Sequence, residues 1–345
     1  MGLNTSPKRD VVVYKMHGDV DHSADAIITK EQYERYYKTH ESFITALSGD
    51  LISKTFLFIG FSFTDPNLDY VLSRLNIQFG ENNRQHYCFI KKQTQQDGED
   101  EELHKYNVRK QQLMMGDLKR YRIKAILIED YADITAILKE IENRFKKKTV
   151  FISGSAEEYG SWNRNQAQRF IHKLSKALIT GGFNIVNGFG WGVGSAVING
   201  ALEAVYQKPE KYSEDQLIMK PFPQFETGGK QLVDLWEDYR QKMIALAGIS
   251  IIIFGNKKDT SGNIIAANGV VREFSIAIEH GLIPIPIVST GYVAGEIYAT
   301  IMKSPEKYYS AVEWIIPSIE ELSAVDLSEE QIIKKVITII QNINK

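Results

Sequence analysis

Gly188, Gly190, Gly192 and Gly194 stand at alternate positions, directly behind an apolar run at 183–186 and directly ahead of a helical pattern that begins at Ser195. Glycines between a strand and a helix let backbone N–H groups approach a phosphate, and the helix N-terminus beyond them favours negative charge. Trp191, inside the turn, offers either an aromatic face on which a base stacks or a side chain for packing. The glycines could instead serve only a tight crossing from strand to helix, although one or two would suffice for that. A second glycine-bearing strand end, Val150-Phe-Ile-Ser-Gly154-Ser155, lies one helix earlier. Two such ends opening onto helices predict a nucleotide cleft at the carboxyl edge of a parallel sheet. Two further positions lie early in the chain. His17 follows the apolar run 11–16 and precedes Gly18. It is either an imidazole placed to move protons where a cleft forms, or a turn histidine bonded to backbone. Gly60-Phe-Ser62-Phe closes the apolar run 55–59 in the same manner.

The elements that must carry these residues follow from spacing. Thr29 and Gln32 form a capping-box pattern ahead of a helix whose apolar face is Tyr33, Tyr36 and Tyr37. A helix over 42–52 leads to a strand over 55–59, apolar throughout and therefore expected to be covered on both faces. Asp65 caps, and Pro66 opens, a helix running to 75. Strands over 86–90 and 123–128 and helices over 103–121 and 133–145 complete this part. From 149 onward strands (149–153, 183–186, 216–219, 249–254, 283–288) alternate with helices (163–179, 195–206 with Ser195 as N-cap, 232–247, 270–279). That alternation predicts an α/β fold, a parallel sheet covered by helices on both faces. A last amphipathic helix covers 328–343, its apolar stripe offering either an oligomer surface or packing on its own domain. The charges at 146–148 mark the expected boundary between domains 1–147 and 148–345.

With 345 residues there is chain for two cores. A formal net charge of −2, with no basic cluster beyond Lys146-Lys147-Lys148, argues against nucleic acid as a partner. The one cysteine, Cys88, lies inside an apolar run, which excludes a disulfide framework and a cysteine-ligated metal; no metal is expected. No apolar run reaches membrane-spanning length, and residues 1–10 lack a signal-peptide core, so a cytoplasmic, reducing location is expected.

Tyr14-Lys-Met-His17-Gly18, followed by Thr55-Phe-Leu-Phe-Ile-Gly60-Phe-Ser62-Phe-Thr-Asp-Pro-Asn-Leu68, resembles the second half of a sirtuin-like domain of the bacterial defence type. In that family the histidine is the catalytic base and the Gly-x-Ser strand end contacts NAD, which implies these roles for His17 and for Gly60 and Ser62. Phe151-Ile-Ser-Gly154-Ser155, the glycine turn and Gly269-Val-Val-Arg-Glu273-Phe274 resemble a SLOG domain, a nucleotide-sensing relative of the Lonely-guy Rossmann fold. The domain order is similar to that of the NAD-hydrolysing effectors of the Thoeris antiphage system, and the resemblance covers nearly the whole chain. The departure lies ahead of Val11. The family's Gly-Ala-Gly-x-Ser turn for the NAD phosphates, and its asparagine for the nicotinamide ribose, have no counterpart there. The expected fold is thus a partial sirtuin-like Rossmann domain followed by a Rossmann-like SLOG domain, with the chain inactive on NAD by itself.

For the second domain the resemblance implies an activator, a cyclic ADP-ribose isomer made by a TIR-domain partner protein. Its contacts would be Gly154, Ser155, Gly188, Gly190, Trp191, Gly192, Arg240, Lys257 and Glu273. Arg240 and Lys257 suit a pyrophosphate and Glu273 suits ribose hydroxyls. Lys257 follows a strand and Glu273 falls in the first turn of its expected helix, both rim positions; three solvated charges are the alternative. The resemblance also implies a homo-oligomer, a tetramer or higher assembly, with NAD as substrate and no cofactor. Two other functions stay open. One is a nucleotide-binding sensor or oligomerisation module joined to an inactive sirtuin remnant. The other is a Lonely-guy phosphoribohydrolase, whose Pro-Gly-Gly-x-Gly-Thr-x-x-Glu pattern is met here only by the frame of Gly255-Asn-Lys257 and Gly269-Val-Val-Arg-Glu273.

Overall fold

The structure, a computed structural model, describes residues 15–18, 21, 26–61, 63–80, 84–95, 97–324 and 326–345. Residues 11–14 of the first expected strand, and Ser62, lie outside the described residues. The chain divides into two units, Met1–Ile137 and Leu138–Lys345.

The first unit runs α1 (Lys30–Thr39), α2 (Glu41–Ser53), β1 (Leu57–Phe58), α3 (Pro66–Phe79), β2 (His86–Lys91), α4 (Glu101–Leu118) and β3 (Ile123–Ile128). Its strands form a parallel sheet in the order β1-β2-β3. The capping box at α1 forms as spaced: the Thr29 hydroxyl accepts from the Gln32 N–H, while Gln32 Oε1 accepts from the Thr29 N–H at 2.8 Å. Asp65 caps α3 with Pro66 in its first turn. Leu51, Leu68, Val71, Leu72, Leu75, Cys88, Leu118 and Ile123 form the core. One expectation fails here. The run 55–59 is not covered on both faces: β1 is two residues long, with Leu57 37% and Ile59 48% exposed. Among the described residues β1 pairs with β2 alone. The helix α5 (Asp133–Lys147) carries the chain into the second unit, and the division between Ile137 and Leu138 falls inside it.

The second unit continues with β4 (Thr149–Ser155), α6 (Arg164–Thr180), β5 (Asn184–Asn187), α7 (Gly194–Gln207), β6 (Leu217–Met219), α8 (Leu232–Ile244), β7 (Ile249–Phe254), β8 (Asn256–Lys258), β9 (Ile264–Ala266), α9 (Asn268–Glu279), β10 (Ile283–Pro286), α10 (Tyr292–Met302), α11 (Pro305–Tyr309), α12 (Ile316–Glu321) and α13 (Glu329–Ile343). Its main sheet is parallel, in the order β10-β7-β4-β5-β6. Both faces are covered, and the strand period of two shows it. Val150 and Ile152 enter one core with α6, α7, α10 and α13, whereas Phe151 enters the other with Met243 of α8 and Ile276 of α9. The stripe of α13 packs on its own unit, with Ile332, Val336 and Ile340 fully buried.

Three details differ from expectation. Val193, not Ser195, is the N-cap of α7, and it makes no side-chain cap bond; Ser195 lies in the first turn. The helix α9 starts at Asn268, which moves Glu273 into the second turn. The β8–β9 hairpin and the helices α10 to α12 are additional elements.

Candidate functional site

Chain order makes a crevice. The connection leaving β4 goes to β5 on one side of the sheet, and the one leaving β7 goes by way of the β8–β9 hairpin and α9 to β10 on the other. The carboxyl ends of β4 and β7, paired as Ser155 with Phe254, are the switch point where ligands bind in open α/β sheets. The glycine turn is drawn to this point. The Ala156 N–H donates to the Trp191 carbonyl at 2.8 Å, and the Gly255 N–H to the Ser155 carbonyl at 2.9 Å. A Cβ on Gly190 would sit 2.0 Å from the Gly154 carbonyl oxygen, and one on Gly192 1.9 Å from that of Ala156. Close backbone approach therefore accounts for these glycines. The approach leaves a second consequence: the backbone N–H groups of Gly190, Trp191 and Gly192 have no acceptor among the described residues. They precede the N-terminus of α7, which also lacks a side-chain cap. Trp191 is 73% exposed, so it is not a packing residue.

The rest of the rim is built by residues the sequence did not single out. Asn256, fully buried, accepts from the N–H groups of Glu157 (2.9 Å) and Glu158 (3.0 Å) through Oδ1, and donates through Nδ2 to the Glu158 carbonyl. The Ser155 hydroxyl donates to the Asn256 carbonyl at 3.0 Å. Asn187 ties β5 to β4 by donating to the Ile152 carbonyl, and accepts from the Phe189 N–H. Phe189 and Phe254 both adopt positive φ, 59° and 55°, a conformation uncommon for bulky side chains and concentrated at binding sites. The signal available for Asn256 was its place one residue past a strand-ending glycine.

Lys257 lies on β8, exposed, directly after the crevice. Arg240 and Glu273 are placed deeper. Glu273 does not stand at the rim: its side chain is buried, and Oε2 accepts from the Ser153 hydroxyl of β4 at 2.6 Å. Burial pushes its carboxyl above the usual range, opposed by the Ser153 hydrogen bond and the Arg240 charge. Arg240 Nε lies 3.9 Å from Glu273 Oε1, and its guanidinium stacks over the Phe222 ring at 5.0 Å. Phe222 in turn packs where a Cβ on Gly188 would stand, 2.7 Å away. The glycine turn, the aromatic ring and the arginine thus form one stack.

In the first unit His17 meets a partner missed in the sequence. Asp65 Oδ1 accepts from the N–H groups of Asn67 (2.9 Å) and Leu68 (3.0 Å), which is the cap reading. Its Oδ2 lies 3.3 Å from His17 Nε2, an ion-pair distance without hydrogen-bond alignment. Tyr33 and Tyr36 flank the imidazole, at 4.9 and 5.8 Å between ring centroids. Tyr36 donates to the Met16 carbonyl at 2.7 Å, and burial with the nearby Asp65 charge pushes its hydroxyl up to about 12. Past the carboxyl ends of β1 and β2 opens a cavity of about 700 Å³, lined among others by Gly60, Phe61, Phe63, Phe89 and Gln111. His17 does not line it. Among the described residues no group of His, Cys, Asp and Glu is arranged for a metal ion, and no helix is long and apolar enough to cross a membrane.

Two α/β units, the second with an uncapped glycine turn at the switch point of a parallel sheet, define a SIR2-like domain joined to a SLOG domain. Family models agree: one for a SIR2-like domain matches residues 2–110, and one for the Sir2- and TIR-associating SLOG family matches residues 133–343. The chain belongs to the ThsA family. It is 47% identical over 338 residues to the NAD(+) hydrolase ThsA of Bacillus cereus (strain MSX-D12), covering 98% of this chain and 70% of that protein. It is 42% identical over 342 residues to the NAD(+) hydrolase ThsA of Cytobacillus dafuensis, covering 97% and 69%. The NAD(+) hydrolase ThsA of Enterococcus faecium is 36% identical over 348 residues, covering 99% and 71%.

Proposed function

We propose that this chain is part of an NAD+ hydrolase effector of antiphage defence in which a cyclic ADP-ribose isomer, made by a TIR-domain partner, binds the second unit and switches on NAD+ cleavage by the complete SIR2-like domain, depleting the cell of NAD+. In that reaction the bond between ribose and nicotinamide breaks, nicotinamide leaves with the bonding pair, and a water oxygen bonds to the sugar carbon. His17 takes the proton from the water or a ribose hydroxyl as positive charge develops on the sugar. Asp65, fixed by the first turn of α3, stands 3.3 Å from the imidazole Nε2. Working as a homo-oligomer is part of the same reading.

The observation that carries the activator site is the turn 190–192, three backbone N–H groups at the switch point without acceptors among the described residues, with Arg240 linked to Gly188 through Phe222 and the exposed Lys257 on β8, which follows β7. Such a turn suits a pyrophosphate, and Trp191 suits a base. Titration calorimetry of the 345-residue chain with cyclic ADP-ribose isomers tests this. One isomer should bind, and Arg240→Ala should weaken it about tenfold to a hundredfold, the usual consequence of losing a charge-assisted contact. Unchanged affinity in the variant removes Arg240 from the site, and no heat with any isomer rejects the site.

A further inference from the structure

A cavity of about 880 Å³ opens in the second unit away from the crevice, between the first half of α6, the segment after β10 and the start of α13. That volume lies within the range of small-molecule sites. None of the residues assigned above to the activator lines it. Its helices α6 and α13 cover the sheet face of Val150 and Ile152, whereas Arg240 and Glu273 stand on α8 and α9, the helices of the other face.

One rung joins α6 to α13 at this cavity: Lys173 Nζ donates to Glu330 Oε1 at 3.1 Å. Arg169 stands one turn earlier on the same face of α6 and lines the cavity too, yet it has no ion pair or hydrogen bond among the described residues. The next rung thus lacks its anion. Ser289, from the segment after β10, lines the same space, and its hydroxyl, enclosed, has no partner among the described residues. An unpaired buried hydroxyl is costly, and rotation about one bond turns it toward the cavity. Trp162 supplies an apolar wall, its half-buried ring held edge-on by Phe170 at 4.9 Å and Phe254 at 6.3 Å. Charge then decides the class of ligand. The ionic side chains lining the cavity are Arg169, Lys173, Glu329 and Glu330, which sum to zero. A phosphate dianion would find no surplus positive charge here and two carboxylates in the first turn of α13. A carboxylate brings a single charge and fits the planar guanidinium through two parallel hydrogen bonds.

We propose that this cavity binds a small monocarboxylic acid with an aromatic or apolar body, its carboxylate on Arg169 and the Ser289 hydroxyl, its body against Trp162. Lys173, engaged by Glu330, does not compete for the carboxylate. Glu329 has no ion pair among the described residues and disfavours a ligand with a second negative charge.

Titration calorimetry of the 345-residue chain at neutral pH tests this with three probes: N-acetyl-phenylalanine, its uncharged amide, and phenyl phosphate. The acid should bind with roughly millimolar affinity or better, and the amide about tenfold more weakly. Phenyl phosphate should bind more weakly than the acid in the wild type and gain in Glu329→Gln, where the opposing charge is gone. Arg169→Gln should weaken the acid about tenfold and abolish its advantage over the amide, while Arg169→Lys, a charge without the fork, should restore part of it. Ser289→Ala should weaken the acid about threefold or more. No heat from the acid up to about 10 mM, acid and amide binding alike, or a phosphate that outcompetes the acid in the wild type overturns the assignment, and none of these results needs a variant to fold. So does a folded Arg169→Gln that keeps the preference for the acid. No cyclic nucleotide enters these titrations, so their outcome is independent of the activator.

Discussion

His86 and Glu273 are both buried, and burial moves their titrations in opposite directions because it disfavours whichever form is charged. For His86 the structural consequence is a neutral ring whose Nδ1 accepts from the Phe56 N–H at 3.1 Å, joining β2 to the approach of β1. Its folded value lies below its ordinary value of 6.5, so unfolding takes up a proton. The stability it contributes is present above pH 6.5 and is lost as pH falls from there through the folded value. Melting curves between pH 7 and 5 should show a falling Tm in the wild type and a smaller fall in His86→Gln; equal falls would remove His86 from the account. Legibility at this scale was uneven. Asp65 was readable as a helix cap, and its cap oxygen does that, but the second oxygen turns toward a histidine far away in sequence. Ser153, small and inside a strand, carried no signal, because its role exists only when α9 is laid across β4.

Among the elements, what spacing determines was readable: the alternation of strands and helices, the caps at Thr29 and Asp65, and the apolar stripe of α13. Several of the missed elements share a cause. The β8–β9 hairpin has strands of three residues, and α11 and α12 have five and six, too short for either period to register. The extent of β1 and the start of α7 depend on neighbours, not on local pattern. The glycine turn supplies the sharpest test at this scale. Gly190→Ala forces a Cβ to within 2.0 Å of a carbonyl oxygen and should destabilise the second unit by roughly 2–4 kcal/mol, with loss of ligand binding. Gly295→Ala, in the middle of α10 with no atom within 4 Å of the added carbon, should stabilise by about 0.5–1 kcal/mol. Differential scanning calorimetry separates them, and a Gly190→Ala protein melting with the wild type would show that the turn does not approach β4 as described.

At the scale of the molecule the two domain types and their order were legible because each carries a strand-end motif whose glycines and polar residues have backbone reasons to be there. The charges at 146–148 end α5, and the compact units divide earlier within that helix. The account's central claim joins the two units in one activity, cleavage of NAD+ in the first under control of a nucleotide held by the second. Its most direct test is nicotinamide release, measured with and without the cyclic ADP-ribose isomer that binds. Three proteins are compared: the 345-residue chain, the same chain preceded by a segment carrying a Gly-Ala-Gly-x-Ser turn and the ribose-positioning asparagine, and the His17→Ala variant of that longer protein. The NAD phosphates and ribose are assigned to those added donors, without which a base leaves the substrate unoriented. Release is expected only from the longer protein, only with the isomer present, and not from its His17→Ala variant, whose affinity for the isomer stays unchanged. Isomer-stimulated release by the 345-residue chain, or full activity in the His17→Ala variant, would contradict the account.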